Sequence, residues 1–394
     1  MRNFITTAAL LLSVSSLASC DNSGTSSTGA NTANNPSTAK APAPNANRTP
    51  SNPSAAPGGE VREETVGGGN AANANSASGK KIKIGVSIPA ADHGWTAGVG
   101  WWSKDAMAKH PDIEWVYATA ADPAKQIADI EDMMTQGVDG LVVLATESAP
   151  LTPVAKSAHE RGIFLVNVDR GFLEPVADIF LEGDNKAFGR KSADYMVQRL
   201  KGNGKIVILR GIPCTVDTDR YEAAMEVFNQ NPGIEVLAAQ PGMWNQQKAL
   251  EVMQSYLTQF PKIDAVWASD DDMAQGCEKA IKEAHRESEM WMLGGAGMKD
   301  IVKKVMDKDP MYPADITYPP AMIAPGIHIA VANLHDKGNE LGVYQHIPAH
   351  LHLDKAALRA GTEPKWTGQR HIQLDVQLVT PENASEFYFA DSVY

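Results

Sequence analysis

The sequence predicts an α/β protein made of two similar doubly wound lobes, each a parallel sheet covered by helices on both faces. Three features predict it. Short runs rich in β-branched residues alternate with amphipathic stretches of helical period, and strands separated by helices mean βαβ units with sheets buried on both sides. The alternation begins again after Gly183-Asp184-Asn185, so two successive sets of strands are expected rather than one wide sheet. A last segment, "HIQLDVQLVT" (371–380), alternates by two and reads as a late strand returning to one of the lobes.

The chain ahead of the lobes reads as targeting and tether. Arg2 gives a positive start, Phe4 to Leu12 is mostly apolar, and Leu17-Ala18-Ser19 precedes Cys20, so residues 1–19 are expected to be a signal peptide, too short to span a bilayer as a helix. "LASC" resembles the bacterial lipobox, which implies lipid on Cys20; an ordinary signal with a chance cysteine is the competing reading. Asp21 resembles the signal that keeps some Gram-negative lipoproteins on the inner membrane. Residues 20–79 are then a lipidated cysteine followed by Asn, Ser, Thr, Ala, Pro and Gly, with Val61 and Val66 the only large aliphatic residues after Asp21. Such a composition cannot offset the entropy of ordering, and about 60 residues of flexible coil span roughly 40–45 Å. Cys214 and Cys277 remain as a pair in an oxidising compartment, where a disulfide and two separate buried thiols are both open.

Four strands open the first lobe: "IKIGVSI" (82–88), "IEWVYA" (113–118), "GLVVLA" (140–145) and "IFLVNV" (163–168). Between the second and third, Ile127, Ile130, Met133 and Met134 mark one face of a helix over 123–136. The second lobe takes "KIVILR" (205–210), "IEVLAA" (234–239), "IDAVWAS" (263–269), "MWMLGG" (290–295) and "ADIT" (314–317).

Ligands of open parallel sheets bind beyond the carboxyl ends of the strands. Asp92, His93 and Trp95 follow the first strand, Asp169 and Arg170 the fourth, Arg220 the first strand of the second lobe, Trp244 the next, Asp270 the third and Tyr318 the last. Carboxylates accept from hydroxyls, Arg forks donate to hydroxyl and ring oxygens, and aromatic faces cover the C–H faces of a sugar ring. The set suits a neutral polyhydroxy ligand and disfavours an anionic one. A net charge of −12 argues against nucleic acid, which needs clustered Lys and Arg.

"GVSIPAADHGW", "NVDRGF", "TDRYEAA", "ASDDDMAQG" and "QLVTPENASEFY" in this order resemble the periplasmic sugar-binding proteins of the ribose-binding type, the type I solute-binding proteins of ABC importers. The resemblance covers most of residues 81–334 and the C-terminal motif. It implies that Trp95 and Trp244 stack on the sugar from opposite sides, that Asp169, Arg170 and Arg220 grip its hydroxyls, and that Asp270 adds a further contact. It implies lobes formed by 80–184 plus 319–371 and by 185–318 plus 372–394, with three hinge crossings near Gly183–Asn185, Tyr318–Pro320 and His371–Asp375. The implied role is a lipid-anchored periplasmic binding protein, not an enzyme, that carries a neutral monosaccharide or polyol to an ABC permease in the inner membrane. A monomer is expected, with the lipid as its contact with the membrane and with no cofactor, metal or nucleic acid. A sugar-sensing receptor that signals to a kinase or chemoreceptor would use the same site. Two departures stand out: "GGAG" places Ala296 where the family often has a ligand-touching Asp, and Tyr318 stands for a Gln. The segment from His335 to Gly368 is also longer than the family usually carries.

Competing structural readings accompany these assignments. His93 lacks the nucleophile or metal that catalysis requires, and no "GxSxG" or "HExxH" occurs. Adjacent Trp101 and Trp102 cannot both face a cleft from one helix, and Trp115, Trp267 and Trp291 lie in strands and read as core. One of Asp270, Asp271 and Asp272 is expected to cap the following helix. "GGAGMKD" with Lys299 could form an anion nest. His346, His350 and His352 crowd around Pro348, which argues for a loop rather than a metal-binding helix face.

Overall fold

The computed structural model describes residues 81–335 and 369–394. The segments expected to be signal peptide and tether, with Cys20, and the His346–His352 cluster lie outside the described residues.

The first lobe is a six-stranded sheet in the order β11-β5-β4-β3-β1-β2, every neighbour parallel. Its strands are β1 (Lys83–Pro89), β2 (Glu114–Ala120), β3 (Gly140–Val143), β4 (Phe164–Val168), β5 (Ile179–Gly183) and β11 (Arg370–Leu374). Period-two alternation divides its core. Leu141 and Val143 of β3 pack with α2 (Pro123–Thr135) and α3 (Ser148–Glu160), while Val142 of β3 joins the cluster on the opposite face. That second face is covered by α1 (Gly94–Ala108) and α9 (Ile323–His335). Full burial of each such aliphatic side chain contributes about 1.5–3 kcal/mol.

The second lobe has the order β7-β6-β8-β9, again all parallel. It is built from β6 (Gly204–Arg210), β7 (Ile234–Pro241), β8 (Ala265–Trp267) and β9 (Trp291–Leu293). Helices α4 (Asn185–Arg199) and α5 (Thr215–Gln230) pack together, as do α6 (Gln246–Gln259) and α7 (Asp271–Glu283). Short polar residues start three of these helices: Asp184 accepts from Ala187 N–H, Asn245 from Lys248 N–H and Asp270 from Met273 N–H. Helix α8 (Lys299–Met306) and the short α10 (Ala384–Phe387) complete the lobe.

Three elements differ from the sequence reading. Strand β5, "IFLEG", is an additional strand beside β4; it is only 5 residues long, and the loop 169–178 separates it from the preceding run. The "ADIT" strand shrinks to β10 (Asp315–Ile316), which pairs antiparallel with β12 (Leu378–Val379) instead of extending the parallel sheet. The late "HIQLDVQLVT" strand is divided: Arg370–Leu374 joins β5 in the first lobe, whereas Leu378–Val379 reaches β10. The chain therefore changes lobes after Leu374, and the boundary expected at 371–372 falls later. The other crossings run from β5 into α4 through Gly183–Asn185, and from β10 into the 3-10 turn Pro320–Met322 and α9.

Candidate functional site

The strand ends converge on one cavity of about 280 Å³ between the lobes. It is lined by His93, Trp95, Asp169 and Arg170 from the first lobe, by Arg220, Trp244 and Asp270 from the second, and by Tyr318 from the crossing between them, with Val216, Gly295 and Ala296.

Asp92 is the expected site residue that the fold leaves outside the cavity lining. Its side chain is 66% exposed and its Oδ1 lies 2.6 Å from His93 Nδ1. Thr96 Oγ1 donates to the same carboxylate oxygen at 2.9 Å and accepts from the His93 backbone N–H. Burial works to raise the Asp92 carboxyl, but the hydrogen bond and charge of His93 outweigh it and hold the group below its usual range. Asp92 thus steadies His93 rather than facing the cavity, because the turn before α1 points its side chain to solvent.

The two aromatic walls are fixed by different means. Trp95 is in the first turn of α1, and its Nε1–H donates to Tyr318 O at 2.8 Å. Trp244 follows Met243, and both adopt left-handed backbone conformations, with φ of 51° and 60°. Such a conformation in a bulky residue is strained by about 1–3 kcal/mol and persists only where surrounding structure holds it. The indole also lies against Gly211, where a Cβ would stand 2.1 Å from Trp244 Cε2. Arg170 covers the ring, its Cζ 5.1 Å from the centroid.

The polar groups form a buried set. Asp169 is also left-handed, at φ 66°, which aims a side chain that is only 3% exposed. Its Oδ1 accepts from Tyr318 O–H at 2.6 Å, and its Oδ2 lies 3.7 Å from Arg170 Nε. Arg170 Nη1 donates to the carbonyls of Ala145 and Thr146, while Nε has no hydrogen-bond partner among the described residues. Burial raises the Asp169 carboxyl against the opposing charge of Arg170, the hydrogen bond of Tyr318 and the charge of Arg220. Burial, followed by the charge of Asp272, raises Asp270 well above the usual carboxylate range. Tyr318 also packs against Gly183, where a Cβ would lie 2.2 Å from its Cε2.

The three consecutive acids have separate jobs. Asp270 both caps α7 and lines the cavity. Asp271 accepts from Gly295 N–H and Met298 N–H at 2.8 Å each. The backbone of "GGAGMKD", which could have formed an anion nest, is therefore engaged by the protein's own carboxylate, and Lys299 donates to Ser392 O at 2.7 Å. Asp272 crosses between lobes and accepts from the backbone N–H groups of Gly94 and Trp95. Sequence reasoning missed this last role; a first-turn acid on a helix facing another helix's N-terminus is the signal, visible only once the two are opposed.

Packing decides the remaining cysteine and tryptophan readings. Cys214, at the N-cap of α5, and Cys277, within α7, are free, buried thiols, so no disulfide joins them. Trp267 is core, but Trp115 and Trp291 are only partly buried because their strands lie at sheet edges. Trp101 is exposed and Trp102 is packed edge-on against it.

Two parallel-sheet lobes closed over a polar cavity with aromatic walls define a two-lobed binding protein. The chain belongs to the periplasmic binding protein domain family, whose pattern it matches over residues 84–338. It is 32% identical over 208 residues to the xylitol-binding protein of Mycolicibacterium smegmatis, a match that covers 52% of this chain and 59% of that one. It therefore spans less than two thirds of that relative. A ribose import binding protein of Bacillus subtilis is 26% identical over 235 residues, covering 59% of this chain and 76% of the relative. Among solved structures, the fructose-binding periplasmic domain of a hybrid two-component system superposes with a TM-score of 0.65 at 27% identity, covering 78% of this chain and 93% of that one.

Proposed function

We propose that the chain is the substrate-binding component of an ABC-type sugar importer, which holds a neutral monosaccharide or polyol between its lobes and delivers it to a membrane permease. The observation that carries this reading is the single cavity in which two tryptophans, Asp169, Asp270 and the guanidinium groups of Arg170 and Arg220 meet. Aromatic faces cover sugar C–H surfaces, while the charged groups form strong hydrogen bonds with hydroxyls. Carboxylates on both lobes disfavour an anionic ligand. The sugars and polyols in the relatives' names support the same class. Contacts to both lobes exist only in the closed form, so ligand shifts the hinge toward closure and no bond is made or broken. Lipid on Cys20 would keep the protein at the inner membrane, on the periplasmic side.

The test is thermal unfolding of the full chain against pentoses, hexoses, polyols and phosphorylated sugars. A ligand at 100 times its Kd adds about 2.7 kcal/mol of stability. Stabilisation by a neutral sugar or polyol, lost in Trp95→Ala and Asp169→Ala, supports the reading; stabilisation only by a phosphorylated sugar rejects it. The likeness to a two-component periplasmic domain favours one second reading, a sugar sensor with the same site. Capture of a permease or of a kinase by the sugar-loaded protein separates the two.

A further inference from the structure

Arg220 is held in the cavity by a chain of side chains that begins in the first lobe. His371 on β11 and Phe180 on β5 stack with centroids 5.0 Å apart and planes 9° from parallel. His371 Nε2 lies 3.0 Å from Glu182 Oε1, and Glu182 Oε2 accepts from Asn185 Nδ2–H at 3.1 Å. Asn185 Oδ1 accepts from Arg220 Nε–H at 3.0 Å. Glu182 is 6% exposed and Asn185 1% exposed, so neither exchanges its partners readily for water.

The chemistry of the partners permits only one orientation of the amide. A carboxylate only accepts and a guanidinium only donates, so Asn185 must turn its NH₂ toward Glu182 and its oxygen toward Arg220. The remaining freedom of Arg220 is removed by Nη1, which donates to Ser269 O at 2.9 Å, and by Phe188 and Tyr318, whose rings lie 3.9 and 4.2 Å from Cζ. Glu182 is the penultimate residue of β5 in the first-lobe sheet, and Asn185 opens the first helix of the second lobe. They stand 3 positions apart across the first hinge crossing, so the link sits at the pivot.

We infer that Asn185, oriented by Glu182 and His371, is the positioning residue that sets Arg220 in the cavity before any ligand is gripped. A guanidinium fixed in advance loses less freedom on binding, which raises affinity without a new contact. Glu182 does not itself line the cavity, and its hydrogen-bonded route to Arg220 runs through Asn185.

The first arm of the test needs no ligand. In the full chain labelled with ¹⁵N-arginine, the Arg220 Nε–H signal is identified by its loss in Arg220→Lys. Its exchange with solvent is slow in the wild type and becomes roughly tenfold faster or more in Asn185→Ala and in Glu182→Ala, as expected when a buried charged hydrogen bond is lost. Glu182→Gln, which can still accept from Asn185, restores protection. Unchanged protection in Glu182→Ala overturns the inference, and that variant decides it alone if Asn185→Ala does not fold.

The second arm rests on the sugar-binding reading and uses D-ribose, D-allose, xylitol and myo-inositol as calorimetric probes. Asn185→Ala weakens a bound probe by roughly tenfold in the wild type and adds nothing in the Arg220→Lys background. An equal loss in both backgrounds assigns Asn185 a merely structural role and overturns the inference. Failure of all four probes to bind the wild type counts against the sugar reading, while the exchange arm still decides the positioning role.

Discussion

The carboxylate of Asp272, on α7 of the second lobe, accepts the backbone N–H of Trp95 at 3.2 Å in the first turn of α1 in the first lobe. It also accepts from Gly94 N–H at 3.0 Å, and Tyr394 O–H approaches it at 3.5 Å. The first N–H groups of a helix have no partners within it and carry partial positive charge. A carboxylate of the opposite lobe therefore satisfies α1 only while the lobes are closed, and it does so at the residue that forms one aromatic wall.

Asp272→Ala should favour the open form. Hydrogen bonds to a charged acceptor contribute about 1.5–3 kcal/mol, so closure should weaken roughly tenfold or more. Small-angle scattering of the full chain should give a larger radius of gyration than for the wild type. Equal radii would show that Asp272 does not hold the lobes together.

Gly211→Ala should imitate the loss of Trp244. The added Cβ would stand 2.1 Å from the indole, so the ring must leave its place above β6. Sugar affinity is expected to fall to the level of Trp244→Ala, with a red-shifted tryptophan emission. Affinity equal to wild type would mean that the wall does not depend on this close approach.

The buried pair Asp271 and Asp315 should make stability fall as pH rises. Burial pushes Asp271 up to about 6 from an ordinary value of 3.8, and burial followed by the charge of Asp271 raises Asp315 well above the same value. Asp315 is fully buried beside the Asp271 carboxyl. A carboxyl whose folded pKa is raised binds more protons folded than unfolded. Its contribution is full below the unfolded value and is lost as pH rises through the folded one. Asp315→Asn, a mimic of the protonated acid, should therefore gain melting temperature relative to wild type from about pH 4 upward through pH 6. Parallel curves would reject the pair as a titrating unit.

Neither cysteine should react in the native protein. Burial pushes the Cys214 thiol up to about 12 and raises Cys277 as well, and only the thiolate is nucleophilic. Native protein should be inert to a thiol-specific disulfide reagent, and a reductant should leave the melting temperature unchanged. Two thiols should appear in the denatured domain, besides any contributed by Cys20. A melting temperature lowered by reductant would indicate a bridge.

Much of the site was legible because parallel sheets send polar residues to one edge. Trp95, Asp169, Arg220, Trp244 and Asp270 could each be named from the residue types that follow an apolar run. Asp92 met the same criterion and failed it, since position after a strand does not say which way a turn points a side chain. Strand β5 was not legible, because a short buried run beside a loop carries no period of its own. The divided strand at 370–379 shows the same limit: alternation marks extended chain, but the partner decides where it pairs.

Local chemistry alone determined the alternation of strands and helices, the repeat of that pattern and the kind of group at each strand end. These follow from periodicity and residue type, which are properties of neighbours along the chain. Tertiary structure decided that Asp271 fills the Gly295–Met298 nest, that Asp272 spans the lobes and that Glu182 and Asn185 hold Arg220. Those roles depend on which donors and acceptors are brought within about 3 Å of one another when water is excluded, and residues 177 positions apart, as Asp272 and Trp95 are, meet only through the fold.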